Sequence, residues 1–160
     1  MSKVLVPGSF DPFTLGHLDV VKRCSATFDK VVVMVGFNSA KKGFLSEQKR
    51  VEYINDAVKE LDNVEVTAYD GLVVDFAHDN GIDFIVKGIR NENDVEYESQ
   101  MACVNKNIAL EKYGKGIETL YLQAAPEFIH TSSSLVRQLI GMNLSVSKYV
   151  HNENLFLKLI

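Results

Sequence analysis

The chain predicts a doubly wound α/β fold, five parallel strands with helices on both faces, on three observations. Val31–Gly36 is a continuous apolar run, the pattern of a strand covered on both sides. Val51, Ile54, Val58 and Leu61 form one helical stripe, and similar helix-periodic segments separate the other strand-like runs. Val4-Leu5-Val6 runs through Pro7 into Gly-Ser-Phe-Asp-Pro-Phe-Thr-Leu-Gly-His, residues 8–17, a strand feeding a glycine-bounded loop that ends at a helix start. Alternating strands and helices imply βαβ units, whose right-handed crossovers place helices on both faces of a parallel sheet.

The elements follow in order. Val4–Pro7 is a short apolar strand, and Leu18, Val21, Cys24 and Phe28 recur at helical spacing. After the Val31 strand, Ser46 is positioned to cap the helix carrying the Val51 stripe. Val64–Tyr69 reads as a strand whose Glu65 and Thr67 suggest one partly open face. Leu72–Asn80 reads as a helix stopped by Gly81, and Phe84-Ile85-Val86 as a brief buried strand. Glu92–Tyr113 is helical up to Gly114, and Ile117–Leu122 is the fifth strand. Ser132–Ile140 forms a helix with Gly141 after its end, and a last short helix follows Asn152.

The 160 residues show no repeat or long linker, so a single domain over residues 1–160 is expected. The hydrophobic share of 46% with 24% charged residues fits a globular chain, and the net charge of −4 argues against nucleic acid as a partner. No long apolar stretch suggests a membrane, and the N-terminus enters a strand at once; a cytoplasmic protein is expected. Cys24 and Cys103 lie far apart outside any CxxC, so both read as small buried apolar residues. The carboxylates form no metal cage. P-loop, G-x-G-x-x-G and G-x-S-x-G patterns are all missing.

Ligands of such folds sit beyond the carboxyl ends of the strands. Four polar segments fall there: Pro7–His17, Asn38–Gly43, Lys87–Asn91 and Gln123–Ser134. The amides of a loop entering a helix favour an anion, and Gly16 permits close backbone approach beside His17. Ser9 offers a hydroxyl and an N–H, although a turn serine needs no ligand. Thr14 is a natural cap for the helix of His17. His78 and His151 read as ordinary surface residues. Lys41, Lys87 and Arg90 are basic residues at strand ends, and Arg offers phosphate a fork where Lys offers a point charge. Thr131 and the serines 132–134 stand at a helix start, where one hydroxyl caps and the others fit an anion. Asp94, Glu96 and Glu98 suit the start of the long helix, mostly as capping and solvation. Together these point to a polyphosphate site.

The residues also match a known pattern. Gly8-Ser9-Phe10-Asp11-Pro12 with Thr14-Leu15-Gly16-His17 resembles the T/H-x-G-H motif of the nucleotidyltransferase superfamily, whose fold is Rossmann-like. Lys87-Gly88-Ile89-Arg90, Asp94, Glu96-Tyr97-Glu98, Gln100-Met101-Ala102, Asn105 and Ser132-Ser133-Ser134-Leu135-Val136 resemble the phosphopantetheine adenylyltransferase family over nearly the whole chain. That resemblance implies transfer of AMP from ATP to 4′-phosphopantetheine with magnesium as cofactor. It also implies a homohexamer and feedback binding of coenzyme A. His17, Lys41 and Arg90 are then catalytic. Ser9, Lys41, Val73 and Lys87 bind the acceptor. Ser9, Phe10, His17, Gly88, Ile89, Arg90 and Glu98 contact ATP, with Phe128, Ile129, His130, Thr131, Ser132, Ser133 and Ser134 closing over it. The chain departs from the family at Ser9, where threonine is more usual, and at Lys87, where arginine is usual. His130 lies where the family often carries an aromatic residue. The first motif alone leaves open another phosphorylated acceptor such as nicotinamide mononucleotide, a cytidylyltransferase, or a non-catalytic nucleotide-binding module; the Lys87–Asn105 block favours phosphopantetheine.

Overall fold

A computed structural model describes residues 1–160. Five strands, β1 (Lys3–Gly8), β2 (Lys30–Gly36), β3 (Val64–Tyr69), β4 (Phe84–Ile89) and β5 (Glu118–Gln123), form one parallel sheet in the order β3-β2-β1-β4-β5. The helices are α1 (Leu15–Thr27), α2 (Glu47–Val58), α3 (Val73–Asp79), α4 (Glu92–Tyr113), α5 (Ser133–Gly141) and α6 (Glu153–Leu159), with a single 3-10 turn at Pro126–Phe128.

Strand side chains alternate between faces, and two cores result. Val4, Val6, Val31, Val33 and Val35 pack with α1, α2, α5 and α6 through Val21, Tyr53, Val136 and Phe156. Leu5, Val32, Met34 and Ile85 face the other way, onto Val74 and Ala77 of α3 and Ala109 of α4. This double coverage is why β1 and β2 are apolar at nearly every position. The half-open β3 is an edge strand.

Local signals set the helix ends, with Ser46 and a serine of the 132–134 run capping as expected and Gly141 falling inside α5 rather than after it. Ser46, Asn91, Ser132 and Asn152 each accept an amide three residues on. Gly114, at φ +68°, closes α4 in the left-handed region. Two further expectations are corrected. Strand β4 runs past Val86, because Lys87, Gly88 and Ile89 pair with Tyr121, Leu122 and Gln123 of β5; ladder partners outweigh composition there. Cys24 is buried and its thiol is pushed up to about 11 by burial, but Cys103 is exposed on α4.

Sheet order sets the site. The chain winds from β1 outward to β3, then crosses to β4 on the other side of β1. Pairing of β1 with β4 covers only Val4–Phe84 and Leu5–Ile85. Their carboxyl ends therefore part at the switch point, where α/β folds bind ligands.

Candidate active site

A cleft of about 320 Å³ opens between the parted ends of β1 and β4. Its floor is the loop after β1. Gly8 admits the buried Phe10 ring, since a Cβ there would lie 2.8 Å from the ring edge. Phe10 itself adopts φ +47°, a conformation that side chains rarely take and that marks stored strain. Its ring stands edge-on to the His17 imidazole, with centroids 5.1 Å apart, and Phe13 packs on the imidazole at 5.5 Å.

His17 lies in the first turn of α1 and completes a reciprocal cap. Thr14 Oγ1 accepts from the His17 amide at 3.4 Å, and the Thr14 amide donates to His17 Nδ1 at 3.0 Å. Burial, with Lys87 and Arg90 adding to it, lowers the imidazole to about 4. His17 is thus neutral at physiological pH, with Nδ1 engaged as an acceptor and the proton on Nε2.

The opposite wall is β4 and the start of α4. Lys87 Nζ donates to the Pro7 carbonyl at 3.3 Å and pairs with Glu98 Oε1, also at 3.3 Å. Arg90 forks onto Asp94 at 3.0 and 3.2 Å and reaches the Thr131 carbonyl at 3.2 Å. Burial alone would raise the Asp94 carboxyl, but the Arg90 hydrogen bonds outweigh it and leave Asp94 below the ordinary carboxylate range. Asp94 and Glu98 are therefore partners of the cleft's two cations rather than solvated caps.

The roof is the segment from Phe128 to the start of α5. All three serine hydroxyls have partners. Ser132 accepts from the Leu135 amide, Ser133 donates to the Pro12 carbonyl at 2.7 Å, and Ser134 accepts from Arg137. What this helix start offers an anion is its backbone N–H groups and its dipole.

The cleft thus collects Ser9, Phe10, His17, Gly88, Ile89, Arg90, Glu98, Phe128, Thr131 and the serines 132–134, with Lys87 at its side. The Ser9 side chain is exposed and makes no hydrogen bond within the chain. Val73 lies apart, in an adjoining pocket of about 190 Å³ with Met34, Tyr97 and Met101; this pocket shares Pro7, Gly8, Lys87 and Glu98 with the cleft. Lys41 is exposed and lies in a separate depression with Lys42 and Lys49. Ile129 and His130 are exposed and line neither cavity. Sequence reasoning missed Asp11, Arg50 and Arg137. Arg137 Nη1 donates to the Asp11 carbonyl at 2.6 Å, tying α5 to the floor. No local pattern marks them, because the bonds that tie the site together, Asp11 to Phe44 and Leu45, Arg50 to Ser9 and Arg137 to Asp11, join residues distant in the chain.

Known proteins resemble this chain in sequence and in fold. The cytidylyltransferase-like family matches residues 5–139. A phosphopantetheine adenylyltransferase of Symbiobacterium thermophilum is 47% identical over 139 residues, covering 87% of this chain and 83% of that one. Another, from Clostridium perfringens, is 41% identical over 147 residues, covering 92% and 87%. The crystal structure of TmcAL from Thermotoga maritima, bound with alpha-thio ATP, matches 99% of this chain and 56% of that one, with a TM-score of 0.68 and 13% identity, a likeness of fold alone. The chain belongs to the cytidylyltransferase-like family and, within it, to the phosphopantetheine adenylyltransferases.

Proposed function

We propose that the chain transfers the adenylyl group of ATP to 4′-phosphopantetheine, forming dephospho-coenzyme A and pyrophosphate. The observation that carries this reading is the placement of His17, neutral and fixed as the Nε2–H form, in a cleft that adjoins the Val73 pocket. Two ligand volumes that meet at Gly8 and Lys87 suit a reaction between a nucleotide and a second phosphorylated molecule.

An oxygen of the acceptor phosphate attacks the α-phosphorus in line. The new P–O bond forms as the bond from the α-phosphorus to the bridging oxygen breaks, and pyrophosphate leaves with that electron pair. The nucleophile is already ionised, so no general base is needed. Catalysis then lies in aligning two anions and stabilising the charge that builds between them. His17 donates from Nε2 to an α-phosphate oxygen. Lys87 releases Glu98 and meets the acceptor phosphate. Arg90 and the N–H groups at the start of α5 stabilise the leaving pyrophosphate. Lys41 reaches the acceptor phosphate from its loop.

Magnesium belongs to this reading. No cluster of three His, Cys, Asp or Glu groups is present, and Asp94 and Glu98 are engaged by cations. Such a donor set fits an ion carried by phosphate oxygens and water, and no protein ligand is assigned. When bound, it supplies charge neutralisation on the triphosphate. The reading further includes a cytoplasmic enzyme, feedback binding of coenzyme A and a homohexamer. Helix α4 supports assembly: only Ala109 of it is buried, and Val95, Tyr97, Met101 and Val104 are exposed. Light scattering tests the hexamer, and competition between coenzyme A and ATP tests the feedback.

The deciding assay incubates the chain with ATP, magnesium and 4′-phosphopantetheine and follows pyrophosphate, with nicotinamide mononucleotide as control acceptor. Release with the first acceptor alone is expected. Release only with the control would overturn the reading.

A further inference from the structure

Arg50 is one of three polar or charged residues that the fold buries, at 6% exposure. It stands in the second turn of α2, away from the chemistry proposed above. Its Nε donates to the Leu45 carbonyl and its Nη1 to the Ser9 carbonyl, each at 2.9 Å. Asp11 Oδ1 lies 3.7 Å from Nε. The same carboxylate accepts the Phe44 and Leu45 amides, both at 2.7 Å. Gly43 lies against the pair, where a Cβ would sit 2.5 Å from Arg50 Nη2 and 2.8 Å from Asp11 Oδ2.

The hydrogen bonds that join residues 37–46 to the floor loop all run through this pair. The Lys41 loop is thus anchored at Phe37, whose amide donates to the Tyr69 carbonyl, and at Phe44 by Asp11; between them Lys41 sits in a turn, its amide donating to the Asn38 carbonyl at 2.9 Å. A buried ion pair contributes little net stability, because desolvation offsets attraction; the effect of this one lies in what it positions. Here it fixes the loop of Lys41 against the loop of Ser9 and His17.

We infer that Asp11 and Arg50 are positioning residues that set the reach of Lys41 to the acceptor phosphate. The inference rests on the adenylyl-transfer reading. It separates the two substrates, because in that reading Lys41 meets the acceptor phosphate, while His17 is fixed independently by Thr14.

The test compares Asp11→Asn and Gly43→Ala, the second keeping both charges in case the first fails to fold. In each, KM for 4′-phosphopantetheine rises about tenfold while KM for ATP stays within about twofold, as expected for displacement of one positioning group. In a Lys41→Ala background the same substitutions leave the acceptor KM unchanged, since the group they position is gone. Trypsin cleavage after Lys42 accelerates several-fold relative to cleavage at other lysines and arginines of the same variant. Equal rises in both KM values, additive effects with Lys41→Ala, or unchanged cleavage would overturn the inference. If the unaltered chain transfers nothing to phosphopantetheine, the functional reading fails; cleavage after Lys42 still reports whether the pair anchors the loop.

Discussion

The Thr14 amide donates to His17 Nδ1 across 3.0 Å, and this one bond decides what the imidazole can do. With Nδ1 occupied, Nε2 carries the only proton, and no rotation of the ring exchanges the two without breaking the cap. His17→Ala therefore removes a preorganised donor. The expected loss in kcat is about 10²–10³, as for other single donors to a developing charge, with ATP affinity nearly retained. Single-turnover rates beside equilibrium ATP binding separate the two. Near-normal turnover would take His17 out of the mechanism.

The same residue makes stability pH-dependent. Folding lowers the His17 imidazole from 6.5 to about 4, by burial first and by Lys87 and Arg90 next. Between those values the unfolded chain binds a proton that the native chain refuses. Stability contributed by the neutral ring is complete above pH 6.5 and falls as pH drops toward 4, at up to about 1.4 kcal/mol per pH unit. His17→Gln removes this contribution. Urea midpoints of the two proteins should diverge at pH 7 relative to pH 4.5, and parallel midpoints across the window would contradict the shift.

Lys87 and Glu98 lie 3.3 Å apart at the junction of the cleft and the Val73 pocket. A lysine has one charged nitrogen, so an acceptor phosphate must compete with Glu98 for it. Arginine can serve a carboxylate and a phosphate with different nitrogens. Lys87→Arg is expected to lower the acceptor KM several-fold and Lys87→Ala to raise it, with KM for ATP little changed. Steady-state kinetics with each substrate varied in turn decides this, and an unchanged acceptor KM in both variants would place the contact elsewhere.

What the sequence made legible follows from range. Double burial of β1 and β2 writes itself as apolar runs, and the caps at Thr14, Ser46 and Ser132 need only an amide three residues away. The floor loop and the basic ends of β4 could be placed in one site because both follow strands in a parallel sheet. Distant pairings left no such trace. Asp11 stands in the first motif with nothing nearby to show its role, because its partners, Phe44, Leu45 and Arg50, belong to another loop and helix. Lys41 groups with Lys87 and Arg90 by its position after a strand, yet it lines a depression other than the cleft that holds those two. Asp94 and Glu98 read as helix-start carboxylates, and the structure sets them on Arg90 and Lys87, cations of the preceding strand end.

Gly8 provides the last test, one of shape rather than charge. No charge or hydrogen-bonding group is changed by Gly8→Ala, and the residue lies at the end of β1 in ordinary backbone geometry. The new Cβ would nevertheless meet the Phe10 ring at 2.8 Å, closer than real Cβ contacts allow. Phe10 has little room to yield, because it is buried, held at φ +47° and packed on Phe13 with centroids 5.3 Å apart. The ring must shift, and the His17 imidazole that stands edge-on to it must shift too. Overpacking of this kind costs about 1–3 kcal/mol of stability. A displacement on the order of 1 Å at His17 can cost a further 10²-fold in rate. Gly8→Ala should therefore lose more activity than its melting temperature explains. Pairing it with Phe10→Leu, which vacates the ring edge, should recover part of the rate. If the double variant is no faster than Gly8→Ala alone, the Phe10 ring does not transmit the strain to His17.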